Sequence, residues 1–255
     1  MIPVVYSRAA RLVFSSAVLV LFTACATGPT AHPSDPLEPM NRSIDRFNTA
    51  VDEAALKPLA TAYKKHTPDP VRTGVRNFFA NLGDVWSVFN NLLQFKPRQA
   101  LETTGRVAVN TVFGLFGVLD VASDMNLDRN KEDMGQTLGY WGMPPGPYLV
   151  LPLLGPSTLR DAGGTAVEMT VGDPVNQISD PWVYGGVFGL RLLDRRASYL
   201  QAGNMLNEVA LDKYTFTRQV WLQKRRSDVY DGDPPDEPEL PDNRKPAPAS
   251  PAPKP

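Results

Sequence analysis

The stretch Val107–Leu119, VAVNTVFGLFGVL, constrains the fold of this chain more than any other. It runs thirteen residues without a charge between Arg106 and Asp120, interrupted by Asn110, Thr111 and two glycines. A helix needs about 20 apolar residues to cross a bilayer, so this stretch is too short to span one. Gly114 and Gly117 weaken any helix that contains them by about 1 kcal/mol each relative to alanine. Two readings follow: a core helix buried by the rest of the protein, or a bent hairpin half-sunk in one leaflet of a membrane. The choice depends on whether the protein lives at a membrane, and the N-terminus bears on that.

Residues 1–24 read as a signal peptide, with Arg8 and Arg11 in a positive n-region and an apolar run from Leu12 to Phe22. Phe22-Thr23-Ala24-Cys25 resembles a lipobox, although Phe22 stands where leucine is usual. Cys25 is the only cysteine in the chain, so no intramolecular disulfide can form and an exported thiol needs another purpose. Acylation supplies it, since each buried methylene of an acyl chain contributes about 0.8 kcal/mol. The expected covalent groups on Cys25 are a diacylglyceryl and an N-acyl chain, and no other cofactor is expected. Ala26 follows, not the aspartate that would suggest inner-membrane retention, so the resemblance to Gram-negative lipoproteins points to the outer membrane.

Removing Arg8 and Arg11 from the 26 basic residues leaves a mature net charge of −3 against 27 acidic ones. That balance gives no reason to expect nucleic acid, which requires a basic patch. What remains is about 230 residues, enough for one sizeable domain with tails. The segment 25–34 reads as a polar tether, 35–228 as a helical domain, and 229–255 as an acidic tail. Nine of the 24 residues from Gly232 to Pro255 are proline, a composition that cannot bury a core.

Asp35-Pro36 has the form of a helix cap, with Glu38 three residues on. Met40, Ile44, Phe47 and Val51 then mark one apolar face, and Lys57-Pro58 is expected to break or kink the run. Asp69-Pro70 is a second cap. Val71, Val75, Phe78, Leu82, Val85, Phe89 and Leu92 follow at alternating spacings of four and three, the clearest helical signal in the chain, and such a stripe is expected to pack in a core. Pro97 opens a helix that runs into the Val107 stretch. Gly135 to Gly142 is glycine-spaced. The apolar, proline-rich segment from Pro144 is expected to be irregular through Gly155, with Ser157 or Thr158 capping a short helix that holds Arg160 and Asp161. Those two are adjacent in sequence and are not expected to face each other. Asp180-Pro181 caps a third long helix, with Val183, Val187, Leu190 and Leu193 on its stripe.

Candidates for enzyme chemistry are few. The mature body holds His66 and, in the tether, His32, with no cysteine beyond Cys25. A zinc site built from His and Cys is therefore excluded. No serine sits in a G-x-S-x-G elbow, and neither a P-loop nor G-x-G-x-x-G is present. No metal site, catalytic residue or enzymatic activity is expected; a histidine-dependent lipid hydrolase would have to use His66.

Several stretches resemble one family. Ser34-Asp35-Pro36-Leu37-Glu38, Asn41-Arg42 and Phe47-Asn48 resemble the opening of the VacJ/MlaA outer-membrane lipoproteins. So do Gly135-x-Thr137-Leu138-Gly139-x-x-Gly142, Gly146-Pro147-Tyr148, Leu151-Pro152 and Thr158-Leu159-Arg160-Asp161-x-Gly163-Gly164. The resemblance implies an all-α fold: amphipathic helices forming a ring or disc in one leaflet, on the periplasmic side of the outer membrane. It implies retrograde transport that removes mislocalised phospholipid from the outer leaflet through an amphipathic channel. The implied partners are phospholipid, a trimeric outer-membrane porin and a periplasmic lipid-carrier protein. Under this reading Val112, Phe113, Leu115, Phe116 and Leu119 are membrane-embedded. Tyr140, Trp141, Tyr148, Arg160 and Asp161 belong to the channel or gate region. The alternative is a structural envelope lipoprotein that supports porins without transport.

Overall fold

A computed structural model describes residues 35–236. The signal peptide, Cys25 with its tether, and residues 237–255 lie outside the described residues. The chain begins with α1 (Glu38–Val51), a π-helical turn (Asp52–Leu56) and α2 (Lys57–His66). Two long helices follow, α3 (Asp69–Leu93) and α4 (Pro97–Val112), which pair along their lengths. Then come α5 (Val121–Asp124), α6 (Met134–Tyr140), a hairpin of β1 (Tyr148–Leu151) and β2 (Gly155–Thr158), and α7 (Leu159–Val167). A π turn (Glu168–Gly172) and a 3-10 turn (Pro174–Gln177) lead into α8 (Pro181–Ser198), α9 (Leu200–Val209) and α10 (Lys213–Val229). Among the described residues no helix is long and apolar enough to cross a membrane.

The polarity of the α3–α4 pair is inverted. On α3 the buried residues are Gly74, Phe79, Asn81, Asp84, Ser87, Asn90 and Asn91. The apolar stripe expected to form a core lies outside instead, with Val71, Phe78, Phe89 and Leu92 all exposed. Helix α4 does the same, burying Thr103, Arg106 and Asn110 while Leu101 is 74% exposed. Many of the inward polar groups bond one another, while Asn81 Oδ1, Asn91 Oδ1, Thr103 Oγ1 and Arg106 Nε have no hydrogen-bond partner among the described residues. Asn81 Nδ2 donates to Thr111 Oγ1 at 3.1 Å, Asn91 Nδ2 to Asn130 O at 3.2 Å, and Arg106 Nη2 to Asp120 Oδ1 at 2.9 Å. Buried polar groups are costly unless bonded in this way.

The opening stretch is neither one helix nor a core element. Helix α4 ends at Val112, and a tight turn follows in which Leu115 (φ 53°), Phe116 (φ 59°) and Gly117 (φ 92°) adopt left-handed backbone. Gly117 N donates to Asn110 O and Leu119 N to Gly114 O, both at 2.8 Å. The turn is pinned to α3: Asn77 Nδ2 donates to Val118 O at 3.2 Å, and a Cβ on Gly117 would stand 2.6 Å from Asn81 Cβ. Two non-glycine residues at positive φ cost about 1 kcal/mol or more each, so these anchors hold the turn in place.

Three expected caps resolve differently. Asp180 caps α8, accepting from Trp182 N and Val183 N at 2.9 Å each. Asp69 is already inside α3, following Pro68, and pairs with Arg72. Asp35 is not a cap at all, since α1 starts after Leu37 and the Asp35 carboxylate is fully buried against Asn41, Tyr214 and Arg218. Lys57-Pro58 does not break the helix either. The π turn just before it widens the ladder, which accommodates a residue lacking an N–H.

The proline-rich segment expected to be irregular forms an antiparallel hairpin with Tyr148 opposite Thr158 and Leu151 opposite Gly155. The stabilising groups come from far along the chain. Val150 N donates to Asn41 Oδ1 and Asn41 Nδ2 donates to Tyr148 O, both at 2.9 Å. Asn48 repeats the device nearer the turn, donating to Leu151 O at 3.0 Å and accepting from Leu153 N at 2.8 Å. Two side-chain amides of α1 thus stand in for a neighbouring strand. The fold remains essentially all-helical, with this one small sheet.

Candidate functional site: a mixed cavity and exposed apolar residues

A cavity of about 540 Å³ opens between α1, α3, the hairpin turn, the π turn after α7, and α8. That volume falls within the roughly 300–1,000 Å³ typical of ligand pockets. Its lining is mixed. Leu82 and Trp86 come from α3, Leu153 and Leu154 from the hairpin turn, Met169 from the π turn, and Phe188 and Leu192 from α8. Charged residues share the wall: Asp52, Arg129, Lys131, Glu168, Asp173, Arg191, Arg195 and Arg196.

Most of these charges are paired. Arg196 grips Asp52 with both forks, Nε to Oδ1 at 2.6 Å and Nη2 to Oδ2 at 2.7 Å. Arg191 pairs with Asp173, and Arg129 Nε with Asp84 Oδ1 at 2.8 Å. Among the described residues Glu168 forms no ion pair. Its Oε1 accepts from Trp86 Nε1 at 3.1 Å and from Met134 N at 2.8 Å. Burial, with the nearby charge of Asp133, holds its carboxyl above the ordinary glutamate value. Trp86 is itself locked, because a Cβ on Gly172 would stand 2.6 Å from its indole.

The five residues expected in the channel or gate region do not line this cavity; Leu153, Leu154 and Gly155 of the same region do. Tyr148 is buried edge-on against Tyr214 and Trp221. Tyr140 and Trp141 are on the surface, Trp141 donating through Nε1 to Leu93 O at 3.1 Å. Arg160 and Asp161 are buried and, against expectation, do meet, Arg160 Nε donating to Asp161 Oδ1 at 2.9 Å. The arginine side chain is long enough to fold back on its neighbour. Asp161 also accepts from Arg225 Nη2 at 3.0 Å, and Thr158, which caps α7, donates to Asp161 Oδ2 at 2.7 Å. The glycine-spaced run serves the same crossing: a Cβ on Gly164 would stand 2.6 Å from Gly135 N, so α6 and α7 touch backbone to backbone.

The apolar belt is the second half of the site. Phe113 is 70% and Phe116 74% exposed, with Val112, Leu115 and Leu119 also on the surface beside them. At the other end of the α3–α4 pair Phe95, 80% exposed, Leu101, Phe89 and Leu92 are exposed as well. Exposed apolar clusters of this kind mark a contact with membrane or protein. Sequence patterning singled out Val112, Phe113, Leu115, Phe116 and Leu119, which are exposed, but assigned Phe89 and Leu92 to a core. It missed Lys131, Glu168 and Arg195 in the cavity wall. The one available signal for the last was Arg191 and Arg195 at helical spacing toward the end of α8.

Fold and site define a class: a helical protein with polar residues buried between its two longest helices, a cavity lined by charged and apolar side chains, and exposed apolar residues outside. Residues 33–228 match the model of the MlaA lipoprotein family, and the chain belongs to that family. It is 32% identical over 222 residues to the intermembrane phospholipid transport system lipoprotein MlaA of Haemophilus influenzae, covering 84% of this chain and 88% of that protein. To the Escherichia coli K12 protein of the same name it is 33% identical over 210 residues, covering 80% and 82%. A solved structure described as "Structural basis for maintenance of bacterial outer membrane lipid asymmetry" superposes with a TM-score of 0.67 at 30% identity, covering 78% of this chain and all of the other.

Proposed function

We propose that this protein is an outer-membrane lipoprotein, anchored through acylated Cys25 in the periplasmic leaflet, that moves phospholipid out of the outer leaflet. In this reading the belt around Val112–Leu119 sits among acyl chains. The cavity accepts the headgroup of a mislocalised phospholipid, and the lipid leaves to a periplasmic carrier. A trimeric porin holds the protein in place, and no bond is made or broken. The supporting observation is the inversion of α3 and α4: Asn90 is fully buried and Asp84 2% exposed, while Phe89 and Leu92 face out. A charged headgroup drawn through hydrocarbon is costly. A cavity walled by paired charges lowers that cost while the tails remain in apolar surroundings. The relatives' names, which place them in an intermembrane phospholipid transport system, agree with this reading.

Surface lipid analysis tests it. Cells lacking the protein should accumulate phospholipid in the outer leaflet, and purified protein in vesicles should pass labelled phospholipid to an acceptor. Intact asymmetry and unchanged transfer without the protein would refute transport and leave a structural envelope lipoprotein.

A further inference from the structure

The cavity's charges separate into matched and unmatched. Arg191, Arg196 and Arg129 each have an aspartate. Glu132 is held by Lys96 at 3.1 Å, and Arg225 takes both oxygens of Asp133 at 2.6 Å. Two cations are left over, Lys131 and Arg195. Both line the cavity, and among the described residues neither makes an ion pair. Both Lys131 and Arg195 are exposed to solvent, while neighbouring protein partly encloses the Lys131 ammonium. That enclosure lowers its pKa, and the fields of Arg129 and Arg195 lower it further. Asp133 opposes this, but its oxygens are occupied by Arg225. The remaining acid, Glu168, spends its Oε1 on Trp86 and Met134.

Like charges gathered on one concave wall repel one another, and an anion placed between them relieves that repulsion. We propose that Lys131 and Arg195 form a phosphate station for the phosphodiester of a phospholipid headgroup. This rests on the transport reading and gives it a residue-level substrate contact. A lysine supplies a mobile point charge and an arginine a planar fork, and the two together fit a tetrahedral anion. Leu82, Met169, Phe188 and Leu192 line the same cavity, which favours a lipid phosphate over a free one.

The test uses the full-length acylated protein in detergent and equilibrium dialysis of three probes: dihexanoyl phosphatidylglycerol, dihexanoylglycerol and inorganic phosphate. Wild type should bind the phospholipid, with dihexanoylglycerol and inorganic phosphate at least about tenfold weaker. Lys131→Gln/Arg195→Gln should weaken phospholipid binding about tenfold or more with an unchanged melting temperature. The charge-retaining pair Lys131→Arg/Arg195→Lys should restore most of it. Unchanged phospholipid binding by the neutral pair overturns the station. So does inorganic phosphate binding as tightly as the lipid, which would make this a free-anion site. If wild type binds no phospholipid at all, the transport reading falls with it. If wild type binds and the neutral pair binds equally, only the station fails.

Discussion

Arg218 Nη1 donates to Asp35 Oδ2 at 2.8 Å across 183 residues of chain, with both side chains buried. Asp35 is the first described residue and Arg218 lies in α10, so this pair closes the domain on itself. Tyr214 and Asn41 donate to the same carboxylate. Removing one partner of a buried ion pair leaves the other uncompensated, at about 3–5 kcal/mol. Arg218→Met should therefore lose stability of that order in guanidinium titrations of detergent-solubilised protein. A loss below about 1 kcal/mol would show that Tyr214 and Asn41 suffice to hold Asp35.

Asn41 and Asn48 replace a missing strand for the hairpin. Asn41→Ala leaves Val150 N and Tyr148 O without partners in a buried place, at about 1–3 kcal/mol for each group. Hydrogen exchange should report it residue by residue. The Val150 amide should exchange faster in Asn41→Ala, and the Leu153 amide faster in Asn48→Ala, each with little effect on the other. Unchanged exchange at both would show that the β1–β2 ladder alone holds the hairpin.

The exposed turn makes a partition prediction. Each buried phenylalanine contributes roughly 1.5–3 kcal/mol on leaving water. In the Cys25→Ser form, which lacks the acyl anchor, Phe113→Asp/Phe116→Asp should reduce flotation with phospholipid vesicles by about a hundredfold or more. Full vesicle binding and full transport activity in that double variant would exclude a lipid-facing turn.

Glu168 predicts a pH dependence. Its folded pKa is raised by burial above the ordinary 4.5, so the folded state binds its proton more tightly than the unfolded chain does. The stability this contributes is complete below pH 4.5 and is lost as pH rises through the folded pKa. Glu168→Gln keeps the acceptor for Trp86 and Met134 without the charge. The variant should melt above wild type at pH 7 and alongside it near pH 4. Equal melting temperatures at both values would show that the carboxylate is adequately solvated in the cavity.

Much of this protein is legible without coordinates. Periodicity marks α3, α4 and α8, Asp180-Pro181 marks a true cap, and the brevity and two glycines of Val107–Leu119 exclude a spanning helix. The family motifs carry the class. These are local properties, set by spacing and backbone preference within a few residues. What periodicity cannot supply is the direction of a face. A stripe of Val71, Phe78 and Phe89 has the same spacing whether it meets a core or a bilayer. Only the tertiary arrangement, which buries Asn81, Asp84 and Asn91 instead, decides between them. The hairpin was hidden because its stabilising amides, Asn41 and Asn48, are more than a hundred residues away. The unmatched pair Lys131 and Arg195 was hidden for the same reason. Whether a charge is free depends on which others have found partners, and that is settled by contacts between distant segments.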